Sequence, residues 1–180
     1  LPEYCTVVFI YDTVPYKPDK KMKKLTNRTK THILSVTLTL AVGGLSSFLT
    51  RKNTDVYKTV AKPPFAPPSV AFPIVWTVLY VLMAVSFARA FHSKDSKKEQ
   101  DKSLALYCGN LFMNFAWPII FFNFRAFLPA FIWLVGLFGV VTAMTVNFGK
   151  KEKINSYLLI PYLLWLTFAG YLNAGIVYLN

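Results

Sequence analysis

The chain has 180 residues, of which 54% are hydrophobic, 17% aromatic and only 16% charged, and its formal net charge is +12. This composition excludes an ordinary soluble domain. It also disfavours a nucleic-acid partner, because the basic residues lie in a tail and in loops between apolar runs. We therefore interpret the chain as an integral membrane protein.

The N-terminal 21 residues differ in composition from the rest of the chain. Their apolar run, residues 5–11, is too short for the hydrophobic core of a secretory signal. We interpret residues 1–21 as an extension of uncertain origin and Met22 as the candidate start of the natural protein. Residues 22–180 then form a single membrane domain.

Five long apolar runs follow, each with enough residues at ~1.5 Å rise to cross the hydrocarbon of a bilayer. They are apolar on all sides, without the alternation of barrel strands, so they predict helices. The predicted fold class is an all-α membrane protein, a bundle of five transmembrane helices. The first run is the most polar, and its small serines, threonines and glycines suit a face packed on neighbouring helices. The runs cover residues 32–50, 69–91, 104–124, 127–148 and 156–179.

The basic residues are distributed unequally between the two ends of these runs. Fifteen of the 20 lysines and arginines lie before the first run, in the second loop with the adjoining Arg89, or in the fourth loop, and five lie on the other side. The positive-inside rule then predicts a cytoplasmic N-terminus, with the first loop and the C-terminus outside. The lysine-rich loops favour a bacterial plasma membrane, with the mitochondrial outer membrane as the alternative. Membrane lipid is an expected partner, since the basic tail also suits anionic headgroups.

The first loop, residues 51–68, ends in a stiff segment. Prolines at 63, 64, 67 and 68 fix their own φ angles and push the preceding residues away from helical geometry. The segment is therefore predicted to be extended and to lead directly into the second helix.

Polar and aromatic residues within the runs form rows at helical spacing. The third run places Asn110, Asn114 and Trp117 on one helix face, and Pro118 removes the usual donor to the Asn114 carbonyl and favours a bend. The asparagines either line a site or only hydrogen-bond between helices. Comparable rows are Trp76 with Tyr80 in the second run and Trp165 with Ala169 in the fifth. Such rings beside small residues suit a planar apolar ligand, although interface belts and helix packing use the same residues.

Catalytic chemistry finds little support in the sequence. None of the five runs contains a carboxylate, and Arg89 lies near enough to a span end to reach the headgroups. His32 and His92 flank spans in basic segments, and two cysteines provide no disulfide framework. We predict no catalytic residue, no metal site and no required cofactor. Small residues four apart, such as Ala84 with Ala88 and Ala105 with Gly109, permit close helix contacts within one chain or in a homodimer.

Four sequence segments, occurring in a fixed order along the chain, match the motifs of a known protein family. They are YKTVAKPPFAPP from Tyr57, FPIVWTVLY from Phe72, NLFMNFAWP from Asn110 and PYLLWLTFAGYLN from Pro161. The chain resembles the translocator protein family, which comprises the tryptophan-rich sensory proteins and the peripheral-type benzodiazepine receptors. The likeness extends from about the first span to the C-terminus.

This resemblance implies a five-helix bundle in which residues 51–68 form a lid over a ligand pocket. Family pockets bind porphyrins and benzodiazepine-like or isoquinoline carboxamide ligands, and some bind cholesterol, so protoporphyrin or haem is the expected ligand. The leading hypothesis is a receptor or carrier that binds such a tetrapyrrole between its helices. The alternatives are a slow porphyrin-degrading enzyme and a stress-responsive regulatory partner. The matching positions are Tyr57, Trp76, Tyr80, Asn110, Asn114, Trp165 and Ala169.

The chain also departs from the family pattern. The lid has Val56 and Phe65 where family members usually carry indoles, which is expected to reshape stacking on a porphyrin. Trp133 stands where the fourth helix usually carries an acidic residue. The C-terminal pattern associated with cholesterol lacks its basic residue after Tyr178, so sterol binding is not expected.

Overall fold

The computed structural model describes residues 20–93 and 96–180, with side chains from residue 27 onward. Most of the predicted N-terminal extension, residues 1–19, lies outside these ranges. Within them the chain forms five long helices, one short helix and one π-helical turn. These are α1 (Lys20–Thr50), α2 (Val56–Thr59), α3 (Ala71–Phe91), α4 (Lys97–Pro118), the π-helical turn (Ile119–Asn123), α5 (Phe127–Gly149) and α6 (Lys153–Leu179).

The five long helices confirm the predicted all-α fold class. Their membrane-crossing segments, of 24, 21, 27, 23 and 27 residues, are each long and apolar enough to span a bilayer, so the chain is an integral membrane protein. Three helices begin earlier than the apolar runs indicated, and the first of them, α1, starts at Lys20 instead of residue 32. α4 starts at Lys97 instead of residue 104 because Ser96 caps it, its hydroxyl accepting a hydrogen bond from the Glu99 N–H. α6 likewise starts at Lys153, three residues before the predicted 156.

The long helices pack in a closed ring. α1 contacts α3 and α4, α3 contacts α6, α6 contacts α5, and α5 contacts α4. The core fills the ring's centre with side chains that are at most 2% exposed, including Met83, Leu137, Met144, Phe148 and Leu166. This order is not the chain order, so helices distant in sequence meet around one central space.

Small polar residues attach α1 to its neighbours, as the sequence indicated. Ser35, Thr39 and Ser46 are buried. The Tyr107 hydroxyl donates to the Ser35 carbonyl at 3.0 Å and also bonds Thr39, while Ser46 donates to the Phe115 carbonyl at 2.9 Å. The polarity of α1 therefore satisfies hydrogen bonds to α4 within the bundle.

Pro118 disturbs α4 at the position where a bend was predicted. α4 ends at Pro118 and continues directly into the π-helical turn Ile119–Asn123. Arg125, two residues after this turn, has a positive φ of 52°. A proline that lacks an N–H forces the hydrogen bonds of the following residues to wider spacing. The wider turn brings Phe121, which is 3% exposed, into the space between the helices.

The first loop folds across one end of the ring and is fixed to α6, and we call its residues 51–68 the lid. The Tyr57 hydroxyl donates to the Pro67 carbonyl at 2.9 Å, and the Tyr171 hydroxyl donates to the Pro64 carbonyl at 3.0 Å. The Asn180 side chain pairs with both backbone groups of Ala61, each at 3.1 Å. The prolines therefore make the lid stiff. Hydrogen bonds from Tyr171 and Asn180, at the end of α6, keep the lid against the bundle.

Candidate functional site

A cavity of about 570 Å³ lies directly beneath the lid, between all five long helices. Its wall combines aromatic rings with a few amide and hydroxyl groups, the composition typical of a small-molecule site. The residues that contribute most of this wall are Gly43, Ser46, Tyr57, Phe72, Trp76, Tyr80, Asn114, Trp117, Phe121, Ala169, Leu172 and Asn173.

The aromatic part of the wall is centred on Trp76 of α3. Its ring lies 5.5 Å from that of Tyr80, one turn further along the helix, and 5.8 Å from that of Tyr162 in α6. The ring of Tyr80 in turn lies close to Gly43 of α1, where any Cβ atom would collide with it. A glycine at position 43 is therefore what allows the Tyr80 ring to line the cavity.

A hydrogen-bonded cluster of two amides and one phenol supports the adjoining part of the wall. The Asn114 Nδ2 donates to the Asn110 Oδ1 at 2.9 Å and to the Tyr162 hydroxyl at 2.6 Å, and that hydroxyl can donate to the Asn114 Oδ1 at 2.8 Å. All three residues are at most 3% exposed. Mutual hydrogen bonding satisfies these groups in the absence of water and fixes α4 against α6.

The predicted site residues divide into two groups. The structure places Tyr57, Trp76, Tyr80, Asn114 and Ala169 on the cavity wall. It places two others behind the wall. Asn110 is completely buried and bonds to Asn114, while Trp165 packs its ring 5.9 Å from that of Phe72. These two side chains support residues that line the cavity.

Tyr162 and Phe72 are site residues that the sequence reasoning missed. Tyr162 is not among the predicted site residues, yet it is 1% exposed and joins the amide cluster. Its spacing contained a signal, because it precedes Trp165 by three positions and Ala169 by seven, which is one helix face. Phe72 lies next to the proline segment and contacts the rings of both Tyr57 and Trp165.

Part of the cavity lining is exposed. The exposed lining residues include Leu40 and Gly44 of α1 and Thr77 of α3. All three lie within the membrane-spanning segments of their helices. This part of the wall therefore lies at the depth of the bilayer.

The ionisable groups among the lining residues are the phenols of Tyr57 and Tyr80. Burial raises the pKa of the Tyr57 phenol above its usual value, so this group stays neutral and keeps its bond to Pro67 at physiological pH. The Tyr80 hydroxyl has no hydrogen-bond partner among the described residues. It is therefore a polar group on the wall that a ligand can engage.

The positions that depart from the family pattern lie away from the cavity wall. Phe65 sits at the apex of the lid with a φ of 63° and is 88% exposed, and Val56 is buried. Trp133 donates its indole N–H to the Met113 carbonyl at 3.0 Å, which joins α5 to α4. Val56 and Phe65 therefore change the lid, and they do not change the residues that line the cavity.

Comparison with known proteins agrees with the motifs. Residues 35–179 match the family described as the TspO/MBR family. The chain is 34% identical over 148 residues to the tryptophan-rich protein TspO of Chlorobaculum tepidum, covering 82% of this chain and 94% of the relative. It is 34% identical to the translocator protein of Bos taurus, over 65% of this chain and 70% of the relative. It is 30% identical to the tryptophan-rich sensory protein of Cereibacter sphaeroides, over 72% and 79%.

Proposed function

Because this chain belongs to the TspO/MBR family, we propose that it is a membrane receptor or carrier for a planar hydrophobic ligand, with a tetrapyrrole such as protoporphyrin or haem as the leading candidate. The observation that carries the proposal is the cavity of about 570 Å³ between the helices. Sites for drug-sized ligands typically measure ~300–1,000 Å³ and combine apolar walls with a few polar groups.

The wall offers a planar ligand both affinity and orientation. Trp76 and Phe72 present ring surface, and a stacked or edge contact contributes ~0.5–1.5 kcal/mol beyond the buried area. The hydroxyl of Tyr80 is the polar group that fixes how the macrocycle lies, while Asn114, held by Asn110 and Tyr162, shapes the wall beside it. The lid covers the site, so it opens to admit the ligand and closes to retain it.

Removal of two indoles tests the proposal. Replacing Trp76 and Trp165 together with leucine is expected to weaken protoporphyrin binding more than about tenfold, because Trp76 loses its ring contact and Phe72 loses the support of Trp165. Binding is measured by Soret absorbance on detergent-purified protein, since tryptophan emission itself changes in the variant.

The control for this experiment is Trp133→Leu, which removes an indole outside the cavity. It is expected to keep protoporphyrin affinity near that of the natural chain. Equal affinities for the double variant and the natural chain would contradict a ligand site at these rings.

We further propose that the N-terminal ends of α1, α4 and α6 face the cytoplasm of a bacterial cell and that the lid faces outward. The charge distribution supports this orientation through the positive-inside rule. In a background of Cys5→Ser and Cys108→Ser, a Thr59→Cys variant is expected to react with a membrane-impermeant maleimide in intact cells. A Lys98→Cys variant should react only after permeabilisation, and the opposite pattern would reverse the orientation.

A further inference from the structure

A second, polar recess lies at the opposite end of the bundle from the lid. It measures about 100 Å³ and is formed where α1 and the start of α6 flank the end of α3. We call it the basal recess. Its lining residues are Arg28, His32, Ala88, Arg89, His92 and Glu152. Its volume is about three times the ~30 Å³ of one liquid water, so it accommodates a group the size of a phosphate.

One guanidinium of the basal recess is held in place from α6. The Arg89 Nη2 donates to the Glu152 Oε2 at 2.6 Å, and its Nε donates to the Asn155 Oδ1 at 3.2 Å. Asn155 is completely buried and is itself bonded to the Phe148 carbonyl. A guanidinium has five N–H groups, so three of them remain for another acceptor after these two bonds. Arg89 is thus oriented in advance for a second anion.

The other side of the basal recess is basic as well. Arg28 and His32 lie four residues apart on α1 and therefore on one helix face. The His92 Nε2 lies 2.8 Å from the Thr31 Oγ1, which links the end of α3 to α1. Two guanidiniums face one carboxylate, so the recess carries net positive charge.

The position of the basal recess points to lipid as the source of the anion. The first membrane span begins at Asn27 and the second ends at Phe91, so the recess lies at the level of the headgroups. On α3, Val78, Leu82 and Val85 lie on the same helix face as Arg89 and run from it toward the bilayer centre. All three are at least partly exposed, with Val78 at 54%. A phosphate in the recess would therefore have apolar surface beside it for an acyl chain.

We propose that the basal recess binds the phosphate of an anionic phospholipid, with Arg89 and Arg28 as its ligands and an acyl chain along the exposed stripe of α3. Arginine pairs with phosphate through two parallel charge-assisted hydrogen bonds, and basic recesses between transmembrane helices suit such headgroups. The inference is independent of the tetrapyrrole proposal, because the two sites lie at opposite ends of the bundle.

The test measures lipid binding to the full chain by native mass spectrometry. Detergent-purified protein is titrated with phosphatidylglycerol and with phosphatidylcholine of the same acyl chains. We expect tighter binding of phosphatidylglycerol, and a loss of about tenfold in Arg28→Gln, the value of one hydrogen bond to a charged group. Arg28 is exposed, so this variant is expected to fold, and Arg89→Gln should show a loss at least as large.

Lys30→Gln is the matched control, since Lys30 is exposed, lies on the same helix and carries the same charge but does not line the recess. It is expected to change phosphatidylglycerol affinity by less than about twofold. Equal losses in Arg28→Gln and Lys30→Gln would show diffuse attraction and overturn the proposal. Inorganic phosphate that binds the natural chain as tightly as phosphatidylglycerol would also overturn it, because the acyl chain would then contribute nothing.

Discussion

Replacing Gly175 with alanine is expected to lift the lid from α6 and to release bound ligand about tenfold faster. A Cβ atom at this position would lie 2.6 Å from the Cγ and 2.7 Å from the Cβ of Pro63 in the lid. Pro63 is buried, and its ring cannot rotate away as a flexible side chain would. Overpacking of this kind costs ~1–3 kcal/mol, and the lid relieves it by opening.

Local helix propensity makes the opposite prediction for Gly175→Ala. Alanine is favoured over glycine in a helix interior by ~1 kcal/mol, so without the contact to Pro63 the variant would only be more stable. The matched control is Gly109→Ala in α4, where an added Cβ atom meets nothing within 4 Å. The two variants make the same chemical change, and they differ in whether the lid lies against the new methyl group.

Two measurements test whether Gly175→Ala opens the lid, one on ligand release and one on the lid backbone itself. Stopped-flow displacement gives the dissociation rate of protoporphyrin, and hydrogen exchange reports on the Ala61 N–H, which donates to the Asn180 Oδ1. In Gly175→Ala both rates should rise, while in Gly109→Ala both should stay unchanged. If Ala61 exchanged at the same rate in both variants, the lid would not be held by its fit against Gly175.

The membrane fold was predictable because it depends on local properties of the chain. The lengths of the apolar runs determine the five helices. Even the error at the start of α4 has a local explanation, since Ser96 lies eight residues ahead of the apolar run and caps a polar first turn. The polar face of α1 was likewise indicated by Ser35, Thr39 and Ser46.

For the candidate site, the sequence could predict only which side chains share a face of one helix. The spacing of Asn110 and Asn114 placed them on one face, but it could not tell which of them lines the cavity and which lies behind it. That distinction depends on where α6 presents Tyr162, and so on the ring order of the helices. The basal recess could not be predicted for the same reason, because Arg28, Arg89 and Glu152 are far apart in sequence.

Filling the cavity is the second change with a large expected effect. Ala169 of α6 lies on the wall beneath the lid, so the ring of an Ala169→Phe variant would project into the space that the ligand requires. Ligand and ring cannot both fit without displacement, and forcing extra volume into an occupied site costs ~1–3 kcal/mol. The control is Ala143→Phe on the exposed face of α5, which adds the same ring outside the cavity.

The measurement that tests the account most directly is a Soret titration of these two variants with protoporphyrin. If the ligand binds between the helices, Ala169→Phe loses at least about tenfold in affinity while Ala143→Phe binds like the natural chain. Full affinity in a folded Ala169→Phe variant would contradict a ligand site in this cavity.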